Sequence, residues 1–541
     1  MTDYCSMISG GQSGRGQSGV CAYIQGTCRF LGGSVPTIIL LALGVALLFF
    51  ATLTEARFGH DVAVRAYFGS LVAIWQYPDT WPGGAWLSRC WLALPGGPLI
   101  GLLALVNLFC AGLLRMERLR RKPSSMLGLA IAHAGLMLVL AGYFGPIAGY
   151  GNGFALAVAG GVTTVAGLFV HYAMERVARR AAAFATKASE ASAVGTAPCR
   201  GGTLWLRYMP IAALLLPVLM FNVMTFVQGR REGLAKIFDG GFCLFIGLAI
   251  YLPALFFSLA AMTAATPLRR RFEAVELHLA SVGLAFHGML VMALVLIHGR
   301  PPVTGLRSVV IFCGWLAVLA AQRVELRRRD GIACFSAALA GLLTLCLAGG
   351  MAVAAPGQIN PVIDVRHWLI LHVVVICAAY SAVLLAVIFA NISLLGGLFG
   401  MDGQKGRATI LLTARAMTFG IVLGTIGTLM GGLWAMKAWG RFWGWDPKEN
   451  AALMLILWCA LALHARRVAL VRERGFIRLV AAAGLVLAWS WAGTNMLGSG
   501  LHRYGLAPND LVVLGIYALV QILLIVVSLA PKGMKPRINN S

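Results

Sequence analysis

The chain is 541 residues long, 59% hydrophobic and only 12% charged, with a mean hydropathy of +0.82. Soluble domains carry about a quarter charged residues, so a soluble globular protein is excluded. A net charge of +25 would suit nucleic acid, but the basic residues sit in short clusters between apolar runs. Those clusters are Arg115 to Lys122, Arg176 to Arg180, Arg269 to Arg271, Arg323 to Arg329, Arg466 to Arg474 and Lys532 to Arg537. Such spacing is the signature of cytoplasmic loops under the positive-inside rule, with the lipid bilayer as partner and no nucleic acid.

In chain order, residues 1–35 are rich in Gly and Ser and are expected to be disordered. They lack the basic start, apolar core and cleavage site of a signal peptide. Apolar runs long enough to cross a bilayer as helices follow, at about 36–53, 95–115, 126–148, 153–173, 205–227, 239–264, 276–298, 305–322, 332–354, 367–396, 415–436, 448–470, 476–494 and 510–530. The expected fold is all-α, a polytopic transmembrane bundle of about 14 spans. The alternating short segments of a β-barrel are absent. With the N-terminus placed inside, all six basic clusters fall in the cytoplasm, as does the C-terminus. The stretch 176–204, rich in Ala, Arg and Ser, reads as a cytoplasmic linker. It separates the spans of 36–175 from intermediate spans at 205–274 and a motif-bearing part at 275–541.

The twelve cysteines form no CxxC pair, and no CxxCH exists, so the chain is not itself a c-type cytochrome. Six of them, Cys110, Cys243, Cys313, Cys346, Cys377 and Cys459, lie inside apolar runs as small hydrophobes.

Chemistry concentrates in residues 434–450, expected as an outer loop: Trp434, Trp439, Trp443 and Trp445 within twelve residues, then Asp446-Pro447-Lys448-Glu449-Asn450. An aromatic belt accounts for tryptophans at a membrane boundary. It does not account for the spacers Gly440 and Gly444, for Arg441, or for the acidic-proline ending. Indole faces suit a flat apolar macrocycle, and Pro447 suits the first turn of the next helix.

The ten histidines sort by depth. His372 and His502 fall on the outer side, flanking the tryptophan stretch, with His367 a nearby rival. His133 and His464 fall toward the inner side. Two imidazoles make a six-coordinate haem iron. Taken singly, a membrane histidine such as His287 is more often hydrogen-bonded within the bundle.

Trp439-Gly-x-x-Trp443-x-Trp445-Asp446-Pro-Lys-Glu resembles the WWD signature of haem-handling proteins. With Gly299-Arg-Pro-Pro-Val-Thr304, Trp368-Leu-x-x-His372, Ala488-Trp-Ser-Trp491 and Gly498-x-Gly-Leu-His502-x-Tyr504, it is most similar to the CcsA (ResC) family of cytochrome c assembly over about 275–541. CcmC and CcmF share such a loop. Ala63 to Ser70, Leu94-Pro-Gly-Gly-Pro and Ala132-His133-Ala-Gly135 resemble CcsB (ResB) more weakly, without the large extracytoplasmic domain of that family. The resemblance implies a bacterial inner-membrane protein with the WWD loop outside. It handles haem b for a holocytochrome c synthase reaction with apocytochrome c. A separate CcsB/ResB-like protein or a thiol reductant is implied as partner.

The resemblance also carries roles to matching residues. His372 and His502 hold haem iron outside, while His464 and His133 hold it at inner depth. Trp439, Trp443, Trp445 and Asp446 line the platform, with Asp446 equally readable as fixing the turn before the next span. Arg441 or Arg503 is a candidate for haem propionates, because Arg binds carboxylates bidentately. The rivals are a transmembrane b-type cytochrome and a haem exporter without synthase activity.

Overall fold

A computed structural model describes residues 26–121, 123–144, 240–263, 266–298, 305–328, 331–351, 366–398, 404–498 and 508–529, apart from Pro82, with small pieces at 23, at positions between 159 and 174, and at Gly500. Among them, ten helices are long and apolar enough to cross a membrane, and two shorter apolar helices occupy Leu127–Gly142 and Val512–Val527. The chain is an integral membrane protein built almost wholly of helices. Expected span 205–227 lies outside the described residues and 153–173 mostly so. The chain divides into two compact units, Met1–Cys199 and Arg200–Ser541.

In the first unit, α1 (Ser34–Phe58) packs on α2 (Gly97–Arg121). At their contact Asn107 donates to the carbonyls of Leu31 (2.5 Å) and Gly33 (3.2 Å) and accepts from Thr37 (2.8 Å). A polar side chain at membrane depth must be satisfied internally, and here one asparagine ties the entry of α1 to α2. α3 (Pro123–Phe144) carries Gly128 and Gly135, where an added Cβ would lie within 2.3 Å of the backbone at His171 and Thr164. Residues 159–164 are helical. The Gly and Thr content of that stretch is therefore a close helix–helix contact, as small residues provide in membranes.

The loop after α1 departs from the all-α expectation. Val72–Gln76 (β1) pairs antiparallel with Trp91–Pro95 (β2), with Val72 opposite Pro95 and Gln76 opposite Trp91. Ala73 and Leu94 face each other on the buried side. A two-stranded hairpin is marginal alone. Here Trp75 packs 4.8 Å from Phe50 of α1, and Tyr77 and Trp81 extend the cluster. Arg57 at the end of α1 pairs with Asp79 at 2.7 Å, holding that carboxyl below its usual range. Burial alternates along Val72–Gln76 with the period of a strand, but the residue types do not, Val-Ala-Ile-Trp being apolar throughout.

In the second unit, α4 (Gly240–Ile246) passes through a π-helical turn, Gly247–Tyr251, into α5 (Leu252–Thr263). Then come α6 (Thr266–His298), α7 (Leu306–Arg328) and α8 (Ile332–Gly350). Glu325 turns the corner between α7 and α8 by accepting from the backbone N–H groups of Gly331 (3.0 Å) and Cys334 (3.2 Å), orphan donors of a helix start. The motif-bearing helices are α9 (Arg366–Leu398), α10 (Gln404–Trp439), α11 (Pro447–Arg467), α12 (Glu473–Ala488, continuing through π-helical Trp489–Gly493) and α13 (Pro508–Val527). α10 runs about four turns beyond the roughly 20 residues a span needs, and this extension places Trp434 and Trp439 on a helix. Only from Gly440 (φ +73) does the chain leave it, because Ala435 to Ala438 offer no helix breaker.

Candidate functional site

The site begins with how α10 meets α9. Gly420, Gly424, Gly427 and Gly431 recur at spacings of four, three and four, one face of a helix. A Cβ at Gly420 would reach 2.6 Å from Val383, and at Gly427 3.1 Å from the backbone nitrogen of Ile376. The ridge lets the two backbones close together, as small residues do in membranes. At its C-terminal end His372 fills the space a side chain at 431 would need: a Cβ there would lie 2.6 Å from His372 Cε1. His372 Nδ1 lies 2.7 Å from the carbonyl of Gly427. A carbonyl only accepts, so Nδ1 carries the proton and the lone pair of the neutral ring is on Nε2. The ring stacks parallel to that of buried Trp434, at 6.4 Å and 4°. Trp434 in turn meets the face of Trp439 edge-on at 4.6 Å.

The turn from α10 to α11 is held by the three side chains that open α11. Asp446 is the N-cap, accepting from the N–H of Lys448 at 2.9 Å. Glu449 reaches back to the N–H groups of Asp446 (3.2 Å) and Gly444 (2.8 Å), completing a capping box. Pro447 occupies the first helical turn as expected. Asn450 donates to the carbonyl of Trp445 at 2.8 Å. That bond matters because Trp445 has φ +59, a left-handed conformation costing roughly 1–3 kcal/mol for a side chain of this size. The strain aims Trp445 across Trp443, whose ring it meets at 5.8 Å and 84°. Arg441 lies against Gly444, its Nη1 3.4 Å from that carbonyl, where a Cβ at 444 would strike the guanidinium at 2.0 Å.

Lys448 points the other way. Its Nζ donates to the carbonyls of Ser490 (3.0 Å) and Trp491 (2.7 Å), in a π-helical turn whose register displaces carbonyls from their usual partners. Tyr380 from α9 meets Ser490 Oγ at 2.5 Å. Between α9, α10, α11 and this turn lies an open cavity with ≈ 870 Å³ of atom-free space, mouth included, lined by His372, Ile376, Tyr380, Thr428, Trp443, Lys448 and Trp491 among others. Three of the lining residues each carry a buried polar atom without a hydrogen-bond partner: Thr428 Oγ1, Trp443 Nε1 and Trp491 Nε1. Each such group costs on the order of 1–3 kcal/mol, a cost a ligand with acceptors would remove. Lys448, Thr428 and Tyr380 escaped the sequence reading. Lys448 stood in the quoted motif, but only the π-turn opposite shows where its ammonium goes.

The other candidates fall elsewhere. His464 lies in the last turn of α11, 17 residues from Pro447, so about 26 Å along the helix from the tryptophan turn. His372 and His464 thus sit at opposite ends of the second unit. His464 Nδ1 bonds the carbonyl of Ala460 (2.8 Å), and His133 Nδ1 in the first unit bonds that of Leu129 (2.6 Å). Exposed His278 makes the same local bond to Ala274, so it is not by itself a ligand signature; the cross-helix bond of His372 is different in kind. His287 is buried with Nε2 on the carbonyl of Ile311 at 2.9 Å, while its Nδ1 is buried without a partner. His502 and Arg503 lie outside the described residues. Gly500 is described, at φ +89, where a Cβ would meet Asp446 Oδ2 at 2.6 Å and Pro447 at 2.8 Å. The chain therefore touches the tryptophan turn two residues before His502, a distance of about 7 Å of backbone.

Residues 248–502 match the family model described as cytochrome C assembly protein. Curated relatives include the cytochrome c biogenesis proteins CcsA of Synechococcus sp. (strain CC9605) and of Parasynechococcus marenigrum (strain WH8102). Each is 30% identical over 305 residues, covering 49% of this chain and 95% of the relative. The CcsA of Microcystis aeruginosa (strain NIES-843 / IAM M-2473) is 30% identical over 294 residues, covering 42% and 87%.

Proposed function

Because the chain belongs to the CcsA family of cytochrome c assembly proteins, we propose that it receives haem b within the membrane and presents it for covalent attachment to apocytochrome c. The observation that carries this reading is the niche of His372. Its Nδ1–H is fixed by Gly427, its ring is stacked on Trp434, and it lines a cavity walled by Trp443. A histidine oriented through its second nitrogen is the usual state of an iron ligand. His502, two residues beyond the Gly500–Asp446 contact, supplies the second imidazole. Trp439, Trp443 and Trp445 form the apolar platform, and Asp446 sets its turn.

In the attachment step each thiol of the CxxCH segment adds across a haem vinyl. Sulfur bonds one carbon, the thiol hydrogen goes to the other, and the C=C becomes a C–C single bond. The protein supplies position. His464 and His133 hold haem at the inner depth before it moves outward, with 36–175 acting as the CcsB/ResB-like part. A separate CcsB/ResB-like protein or thiol reductant completes the assembly. The WWD turn faces the extracytoplasmic side of a bacterial inner membrane.

The test is a pyridine haemochrome spectrum of the purified protein beside His372→Ala and His502→Ala. Both variants are expected to lose outer-site haem and to stop cytochrome c maturation. Haem content unchanged in both would remove the outer site from the account.

A further inference from the structure

The polar atoms left unpaired around the cavity share one chemical character. Trp443 Nε1 and Trp491 Nε1 are indole N–H groups, which only donate, and Thr428 Oγ1 can donate too. Lys448 lines the same cavity, its Nζ held on the neutral carbonyls of Ser490 and Trp491. Glu449 also lines it, but its Oε2 is occupied by the N–H groups of Gly444 and Asp446. Unpaired donors beside the Lys448 amine favour an acceptor, and a charged acceptor gains most from such donors. Arg441, the sequence's candidate for that task, is folded onto Gly444 and is not among the lining residues.

We infer that the cavity is a carboxylate receptor: Lys448, with the N–H groups of Trp443 and Trp491 and the hydroxyl of Thr428, binds the propionate end of the haem that His372 holds by its iron. This rests on the haem reading above and deepens it. Anchoring the propionate edge fixes the macrocycle's rotation about the His372–iron axis. The vinyl edge, on the opposite side of the ring, is then the one left for the incoming thiols. Lys448 is in this sense a positioning residue for the thioether chemistry.

The experiment compares binding of haem b and of its dimethyl ester, which keeps iron, ring and vinyls but has no carboxylate. Both are titrated into haem-depleted full-length protein in detergent. Wild type is expected to prefer the free acid by roughly ten- to a hundredfold. Lys448→Met should erase most of that preference while leaving ester affinity within about threefold, since only the charge-assisted contact is lost. Because Lys448 also steadies the π-turn, Trp491→Phe and Thr428→Val provide folded controls, each expected to lower the preference by about three- to tenfold. Equal affinity of wild type for acid and ester, or full preference retained in all three variants, overturns the inference. His372→Ala separates the two readings. It should weaken acid and ester alike, and ester binding untouched by it would sink the iron-ligand assignment instead.

Discussion

A methyl group at position 431 would lie 2.6 Å from His372 Cε1 and 2.8 Å from Nδ1, with Trp434 stacked on the ring. The imidazole would have to leave its bond to Gly427 or push α10 off α9. Overpacking of this kind costs about 1–3 kcal/mol, modest for a membrane bundle but aimed at one ring. Gly431→Ala is therefore expected to keep the protein folded and inserted while lowering outer haem content several-fold. Gly420→Ala, about three helical turns along the same ridge, should cost similar stability and spare haem. The check is haem per protein beside the thermal midpoint for both. Equal haem loss in the two variants would mean that the ridge acts through general packing. At this scale the sequence announced His372 through its tryptophan company, but not the glycine that shapes its niche. Glycine occurs 65 times in the chain, and only the partner helix shows which one matters.

The decisive element is the turn from α10 to α11. Asp446, Glu449 and Asn450 spend their side chains on five residues of backbone, and Pro447 starts the helix between them. The Asp-Pro-Lys-Glu run is thus a helix-start device as much as a haem motif. A capping box signature, an N-cap side chain followed three residues on by Glu, is legible in a sequence. Asp446→Ala is expected to cost about 0.5–2 kcal/mol and Asp446→Asn much less, because asparagine caps nearly as well. A carboxylate needed for chemistry rather than for the cap would invert the outcome, with Asn as inactive as Ala in cytochrome c maturation. The left-handed Trp445 belongs to the same device. Its conformation is tolerable because Asn450 holds its carbonyl, and no local pattern foretells that a tryptophan will sit where glycine is favoured.

At the scale of the second unit, the motif-bearing elements gather at one end. Helix alternation puts His372, the tryptophan turn and the π-turn of α12 at one end of the second unit and His464 at the other. Alkaline phosphatase fused after Gly350 or Gly440 is expected to be active, and after Gly331 or Val471 inactive, since the latter two follow or interrupt arginine-rich loops. Activity after Gly331 would invert the bundle and move the haem turn to the cytoplasmic side. That the apolar runs form membrane-length helices came from composition alone, because a hydrocarbon core about 30 Å thick imposes its length on any helix that crosses it; against the 14 or so spans expected, ten long helices and two shorter ones stand among the described residues. The haem-handling character came from a motif dense enough to be read without neighbours. What the sequence by itself determined, then, was whatever a local run of residues must do in lipid: become helical, keep charge out, and gather aromatics at an edge. Only the tertiary structure decided that Lys448 crosses to a π-turn 42 residues away, that the Gly427 carbonyl meets His372 Nδ1, and that three residues with unpaired donors line one cavity. Those are relations between helices, set by which faces pack together, and helix packing depends on shape summed over many residues rather than on the identity of any one.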